Sequence, residues 1–252
     1  MIKSKDEIER MRVGGKFLGQ ILKHLTTYVK PGVSTEFLNI QAEVMIADIK
    51  AKPAFKGYQA HGMPPFSSSL CTSINEEIVH GEALPARIIK EGDIIGLDLG
   101  LIHEGMYLDA ALTVPVGKVS KEASRLIKIT QEALAVGLKT VKAGVYIGDY
   151  GCVVEQYADK HDLGVVYDLV GHGVGRDVHE PPAAPNYGEK GWGEKLRTGM
   201  TIAFEPMFTL GSSEVKFGNR SWQTVTADGS LSAHFEHTVL VTESGCDILT
   251  QA

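Results

Sequence analysis

Four acidic residues stand where acidic residues are poorly suited. Asp98 and Asp109 lie in the stretch from Gly92 to Gly117, GDIIGLDLGLIHEGMYLDAALTVPVG, while Glu205 and Glu236 lie in AFEPM and LSAHFEHTVLV. Their neighbours are branched or aromatic side chains that favour strands, where a carboxylate is uncommon and is almost never fully buried without a partner. Either aspartate alone is equally well explained by a strand end or a turn cap. Gathered at one place, however, four carboxylates would repel one another and take up protons at neutral pH. Two divalent cations cancel the four charges, and carboxylates can bridge two metals about 3.5–4 Å apart, as in two-metal hydrolytic sites. His172, set between glycines in VGHGVGRDVHEPP, supplies one imidazole. Glycine lets backbone approach a ligand closely and accepts φ > 0, so His172 is expected in a tight, specified place. Taken singly, it reads as a hydrogen-bonded core histidine. One nitrogen among oxygens suits Mn²⁺, Fe²⁺ or Co²⁺ as well as Zn²⁺ and excludes a thiolate zinc site.

Composition narrows the class. The 252 residues suit one large or two small domains, and 43% hydrophobic with 22% charged is ordinary for a soluble globular protein; with no linker or low-complexity segment dividing it, the chain is read as a single α+β domain over residues 1–252. A net charge of −6 with no block of Lys or Arg speaks against a nucleic-acid partner. Cys71, Cys152 and Cys246 are odd in number and widely spaced, which fits neither a disulfide framework nor a zinc ribbon and points to a reducing compartment. The opening MIKSKDEIERMR has no apolar signal core, and no run of 18 uncharged apolar residues occurs, so a cytoplasmic protein without membrane contact is expected.

The elements that must carry these residues follow from the pattern. Ser4 and Glu7 form a capping box, and Ile8, Met11, Phe17, Ile21, Leu22 and Leu25 follow at helical spacing up to Pro31-Gly32. Ser34 or Thr35 caps a second helix with Phe37, Leu38, Val44, Met45 and Ile49 on its apolar side, ending before Pro53. A loop rich in Gly, Pro and Ser leads to a short strand from Leu70 to Ile74. NEEIVHG and a further loop come next, and then a β-hairpin turning at Glu104-Gly105. A helix after Ser120 carries Leu126, Ile129, Ala133, Leu134 and Leu138.

The second half echoes the first. Val29-Lys30-Pro31-Gly32-Val33 is answered by Val141-Lys142-Ala143-Gly144-Val145 at an offset of 112, and Gly92, Ile95, Leu97 and Asp98 by Gly199, Ile202, Phe204 and Glu205 at an offset of 107. Asp109 precedes Thr113-Val114-Pro115-Val116, and Glu236 precedes Thr238-Val239-Leu240-Val241. The three matches in one order predict a duplicated helix-plus-hairpin unit, with halves of about 1–118 and 119–252 and a carboxylate from each copy at a shared centre.

The constellation of Asp98 and Asp109, His172 in GHGVGRDVHEPP, Glu205 in AFEPM and Glu236 in LSAHFEHTVLV closely resembles the type I methionine aminopeptidases over nearly the whole chain. The resemblance implies the pita-bread fold, two related halves clasping a dinuclear metal centre, and the removal of the initiator methionine from nascent proteins, with a small second residue preferred. Asp109 and Glu236 would then bridge two ions (Co, Mn, Fe or Zn), Asp98 completing one, and His172 with Glu205 the other. A hydroxide between the ions would attack the first peptide bond, with Glu205 shuttling the proton. His179 would stabilise the oxyanion, and His80 in NEEIVHG would be the other substrate-side histidine. Cys71, Trp222 and Tyr58 occupy positions resembling the wall of the methionine pocket. The chain departs from the family in GYQAHGMPPFSSSLC, where the Gln59 to Ser69 loop is longer and carries His61 and Met63, and in His234, which stands where glutamine is common. His234 is read either as a hydrogen-bond partner of the bridging carboxylate or as facing away. His237, next to Glu236, is expected on the opposite face of its strand. His24, His61, His103 and His161 carry no functional context.

The resemblance further implies a monomer that meets its substrates near the ribosome. Two other readings remain in view: an Xaa-Pro aminopeptidase or prolidase of the same fold, and a pita-bread binding protein without activity. The first usually has an extra N-terminal domain, and the second has lost ligands.

Overall fold

A computed structural model describes residues 2–60 and 62–252; His61 lies outside the described residues. In chain order it has α1 (Lys5–Thr26), α2 (Thr35–Asp48), β1 (Lys52–Pro53), β2 (Leu70–Ile74), β3 (Glu77–Val79), β4 (Ile94–His103) and β5 (Met106–Pro115). The second half has α3 (Lys121–Leu138), α4 (Ile147–Lys160), β6 (Gly164–Val165), β7 (Gly171–Gly173), β8 (Glu180–Ala184), β9 (Thr201–Phe204) and β10 (Met207–Thr209). It ends with β11 (Val215–Phe217), β12 (Thr224–Thr226), β13 (Ser232–His234), β14 (Glu236–Val241) and β15 (Cys246–Ile248).

The expected capping box opens α1: Ser4 Oγ accepts from the Glu7 amide at 3.3 Å, and the Glu7 carboxylate accepts from the Ser4 amide at 2.7 Å. Ser34 rather than Thr35 caps α2, accepting from the Phe37 amide at 3.1 Å. The buried side of α2 differs from the expected one. Leu38, Asn39, Ala42 and Ile46 face inward, while Phe37 and Val44 are 39% and 49% exposed. Asn39 decides this rotation, because its Oδ1 accepts from the amides of Ser69 and Leu70 at 2.8 and 3.0 Å and so ties α2 to the start of β2. NEEIVHG is not simply loop, since it carries β3, which pairs with β12.

The central sheet runs β1-β4-β5-β14-β9-β7-β8, with β2 on β4 and β15 on β14. Side-chain alternation divides its faces. Leu97, Leu99, Leu101, Leu108 and Ala110 point to the helices, forming one core with α1 and α2. A second core joins α3 and α4 to Ile202, Phe204, Val239 and Val241. Asp98, Asp109 and Glu236 therefore belong to the face away from the helices.

The repeat is broader than the residues that revealed it. At the offset of 112, both ends of α2 fall on both ends of α4, and the end of α1 falls on the end of α3. At the centre the correspondence shifts. The β5–β14 ladder pairs Ala111 with Glu236, which are 125 positions apart, as are Thr113 and Thr238. Thr238 Oγ1 accepts from the Asp109 amide at 3.0 Å and donates to the Asp109 carbonyl at 2.7 Å. Thr113 Oγ1 does the same for the amide and carbonyl of His234, both at 2.9 Å. The two clamps are images of each other, so the partner of Asp109 across the pseudo-twofold is His234, and that of Glu236 is Ala111. The expected match of Asp109 with Glu236 is corrected by these paired clamps.

Candidate metal centre

Two transverse rows of the sheet carry the acidic site. Across β2, β4, β5 and β14 the ladder aligns Cys71, Asp98, Ala111 and Glu236, and Glu205 follows Phe204, the partner of His237. Two residues further along the strands, on the same face, come Gly100, Asp109, Thr238, Ala203 and His172. Strand period places the carboxylates, and the small residues between them leave the space they face. His172 sits deep because Gly171 permits it: a Cβ there would lie 2.3 Å from the Ala203 carbonyl oxygen, closer than any side chain tolerates.

The cavity over these rows measures about 620 Å³. Its lining brings together all ten residues singled out from the sequence: Asp98, Asp109, His172, Glu205 and Glu236, with His80, His179, Cys71, Trp222 and Tyr58. One ligand atom each from Asp109, His172 and Glu236 lie within 4.8 Å of one another. Glu205 Oε1 stands 3.6 Å from His172 Nε2, and Asp98 sits beside Asp109 and Cys71. His172 Nδ1 lies 2.9 Å from the Gly173 carbonyl oxygen, so it carries the proton and leaves Nε2 as an electron-pair donor.

The donor set asks for a cation. Asp98 Oδ1, Asp109 Oδ1 and Glu236 Oε1 are buried without a hydrogen-bond partner, an expensive arrangement for carboxylates unless something positive meets them. Burial pushes the Asp98 carboxyl up to about 6, with Glu205 adding to the rise against an opposing pull from His234. Asp109 and Glu236 are raised further, by burial first and then by neighbouring carboxylates. Oxygen-rich ligands with one imidazole fit a divalent metal, and these residues could hold one.

The opposite end of the cavity is apolar and nearly closed. Phe66, Cys71 and Trp222 form a buried cluster with Phe55, Tyr58 and Met63 against it. The long loop is pinched at its base, where the Phe66 amide donates to the Tyr58 carbonyl at 2.8 Å and the Gly57 amide to the Phe66 carbonyl at 2.9 Å. Ala60 and Met63 of the longer loop pack back onto the cluster, and Trp222 Nε1 donates to the Pro64 carbonyl at 2.9 Å to hold the loop there. Burial, then the charge of Asp98, pushes the Cys71 thiol up.

Two histidines flank the acidic rows. His80 holds φ at +58°, a left-handed conformation rare outside glycine, at the end of β3, whose pairing with β12 brings it beside Trp222. Burial lowers its pKa. His179 lines the same cavity, 4.4 Å from the His172 ring, and desolvation, followed by the neighbouring His172, holds it down at about 4. Tyr58 Oη lies 3.2 Å from its Nδ1. His237 is on the far face, 2.9 Å from Thr250 Oγ1. His234 shares the face of Glu236 but approaches Glu205, 3.4 Å from its Oε2, so neither reading made of it from the sequence holds.

Sequence reasoning missed the supports. Glu180, next to His179, accepts from Lys3 Nζ at 2.8 Å and from the Arg176 and Asp177 amides. Arg176 in turn grips Glu7 through Nε and Nη2 at 2.6 and 2.8 Å. The first turn of α1 thus holds the segment that carries His179. No local signal marks contacts across about 170 residues. Phe66 was likewise hidden in a loop whose pinched base is tertiary.

Such a site, a carboxylate cluster with one metal-ready imidazole under a pita-bread sheet, defines a metallopeptidase. The chain belongs to the methionine aminopeptidases of metallopeptidase family M24, whose pattern it matches over residues 9–243. It is 44% identical to a methionine aminopeptidase of Clostridium acetobutylicum over 250 residues, 99% of this chain and 98% of that one. It is 41% identical to methionine aminopeptidase 1 of Bacillus subtilis over 250 residues, with the same shares. A solved methionine aminopeptidase from Thermotoga maritima superposes with a TM-score of 0.95 at 39% identity, covering 100% of this chain and 99% of that one. A prolidase from Pyrococcus horikoshii, at a TM-score of 0.78 and 21% identity, shares the fold; this chain covers 63% of its length.

Proposed function

We propose that the chain is a metal-dependent aminopeptidase that hydrolyses the first peptide bond of proteins and peptides beginning with methionine. The observation that carries this reading is the shape of one cavity. Its acidic end would receive the free α-amine of a substrate, and its other end is lined by Phe66, Cys71, Tyr58 and Trp222. A closed end admits one side chain, so cleavage stops after one residue. Sulfur and aromatic walls suit a flexible thioether.

Asp98, Asp109, His172, Glu205 and Glu236 would hold the metal, and four carboxylates favour two divalent ions. When bound, the metal supplies an acidified water and polarises the scissile carbonyl. Glu205 takes the proton from the attacking water and passes it to the departing amine. His179, neutral at pH 7, donates from Nε2 to the carbonyl oxygen as negative charge develops, a role worth about 10²–10³ in rate. His80 faces the bound residue from the Trp222 side and fixes its orientation. Preference for a small second residue and encounter with nascent chains near the ribosome rest on the family. Among the described residues no helix is long and apolar enough to cross a membrane. We further propose that the chain is a single catalytic domain acting as a monomer in the cytoplasm.

The test is release of free methionine from Met-Ala-Ser, set against release of alanine from Ala-Pro-Ala, by metal-stripped protein before and after Mn²⁺, Co²⁺, Fe²⁺ or Zn²⁺ is restored. Metal-dependent turnover of the first peptide alone is expected. Turnover of the second would make the chain an Xaa-Pro enzyme, and turnover of neither would make it a binding protein.

A further inference from the structure

His234 has a buried side chain, 4% exposed, and its Nε2 has no hydrogen-bond partner. An imidazole nitrogen is not left this way without cost. Its surroundings show what the atom is for. The backbone of His234 is fixed on both sides by Thr113 Oγ1, in the same clamp that Thr238 applies to Asp109, and its register against Met207 in β10 sets the side chain two residues beyond Glu205. The pseudo-twofold therefore aims His234 at the centre from the second half as Asp109 is aimed from the first. Glu205 lies between two imidazoles, with Oε1 at 3.6 Å from His172 Nε2 and Oε2 at 3.4 Å from His234 Nε2. Asp98 and His80 are the other groups whose charge His234 meets. The nearest ionisable partner of His234 Nε2 is thus Glu205 Oε2.

We propose that His234 is a positioning residue, whose Nε2–H holds Glu205 Oε2 and leaves Oε1 alone to act beside His172. A carboxylate that both faces a metal and carries a proton must present one oxygen to each task. A donor fixed on the second oxygen prevents the group from swinging to use both oxygens on the metal. The inference rests on the reading of Glu205 as proton carrier, and its experiment separates the two.

The test uses His234→Gln, which keeps an N–H at similar reach, His234→Asn, polar but too short, and His234→Leu. Each is stripped of metal, checked by circular dichroism, titrated with Mn²⁺ by calorimetry, and assayed on Met-Ala-Ser. The Leu and Asn variants are expected to lose about 10- to 100-fold in kcat or Mn²⁺ affinity, the range for partners of metal-facing groups, while KM stays within about twofold. The Gln variant is expected to stay within about threefold of wild type in both. Because Asn retains polarity and adds no bulk, it decides the matter if Leu fails to fold. Wild-type kcat and affinity in the Asn or Leu variants would overturn the proposal and leave the peptidase reading intact. So would loss of one bound Mn²⁺ equivalent in all three variants, Gln included, which would make His234 a ligand. Absence of methionine release from the wild-type protein would instead overturn the reading of Glu205 beneath it.

Discussion

Thr238 holds Asp109 by both sides of its peptide, its hydroxyl accepting from the Asp109 amide at 3.0 Å and donating to the Asp109 carbonyl at 2.7 Å. Asp109 is thereby fixed independently of what its carboxylate binds. Replacing Thr238 by Val keeps the shape and strand preference but leaves a buried N–H and C=O unpaired. That costs about 1–3 kcal/mol for such groups. Denaturant unfolding of the metal-free protein should show this loss, and calorimetry should show weaker Mn²⁺ binding. Thr238→Ser should restore both, because only the hydroxyl is at issue.

Tyr58 Oη lies 3.2 Å from His179 Nδ1. A phenol donating there places the remaining proton on Nε2, the nitrogen needed to meet a developing oxyanion. Tyr58→Phe keeps the ring that packs near Trp222 and removes one hydrogen bond, worth about 1 kcal/mol or roughly fivefold in rate. We expect kcat on Met-Ala-Ser to fall by about that factor with KM little changed, against about 10²–10³ for His179→Ala. An unchanged kcat in the phenylalanine variant would mean that ring packing alone orients His179.

The acidic site was legible because strand alternation is a local rule. An aspartate directly between two leucines in IGLDLG must face away from whatever the leucines pack on, and the structure places Asp98 so. What escaped depends on contacts that no window of sequence contains. Asn39 turns α2 by binding amides 30 residues on, which sends Phe37 and Val44 outward against their hydrophobicity. Lys3 reaches Glu180 across 177 residues. The partner of Asp109 was misassigned because the counted distance to the next threonine differs between the halves, and only the matching clamps of Thr113 on His234 and Thr238 on Asp109 locate the axis.

The clamp on the His179 segment should make stability sensitive to acid. Hydrogen bonding by Arg176 holds Glu7 at about 2, and Lys3 holds Glu180 at about 2 against a burial that pushes it up. Groups with depressed pKa values contribute stability above the unfolded value near 4.5 and lose it as pH falls through the folded value. Unfolding free energy should therefore decline between about pH 4.5 and 2. Lys3→Met removes one partner of a buried pair and should cost about 3 kcal/mol at pH 7. The gap from wild type should shrink as pH is lowered toward 2, and a gap independent of pH would show that Lys3 acts by packing alone.

The acidic centre predicts the opposite slope at higher pH once metal is removed. Asp98, at about 6, and Asp109 and Glu236, both raised, are harder to ionise folded than unfolded. The unfolded chain ionises them from about pH 4 upward while the folded chain resists. Stability of the stripped protein should then fall as pH rises from about 5 through 6 and beyond. A divalent metal needs the ionised carboxylates and binds the folded state, adding about 2.7 kcal/mol at a hundred times Kd, so its benefit should widen over the same range. Melting curves of stripped and Mn²⁺-loaded protein at pH 5 and pH 7.5 test this directly. Asp109→Asn sharpens it: the stripped variant should melt higher than stripped wild type at pH 7.5, where a buried charge has been removed, and gain little from Mn²⁺. A lower melting temperature for that variant without metal would mean that the Asp109 carboxylate is already satisfied within the protein, and that the crowding of Asp98, Asp109 and Glu236 is not what draws the metal in.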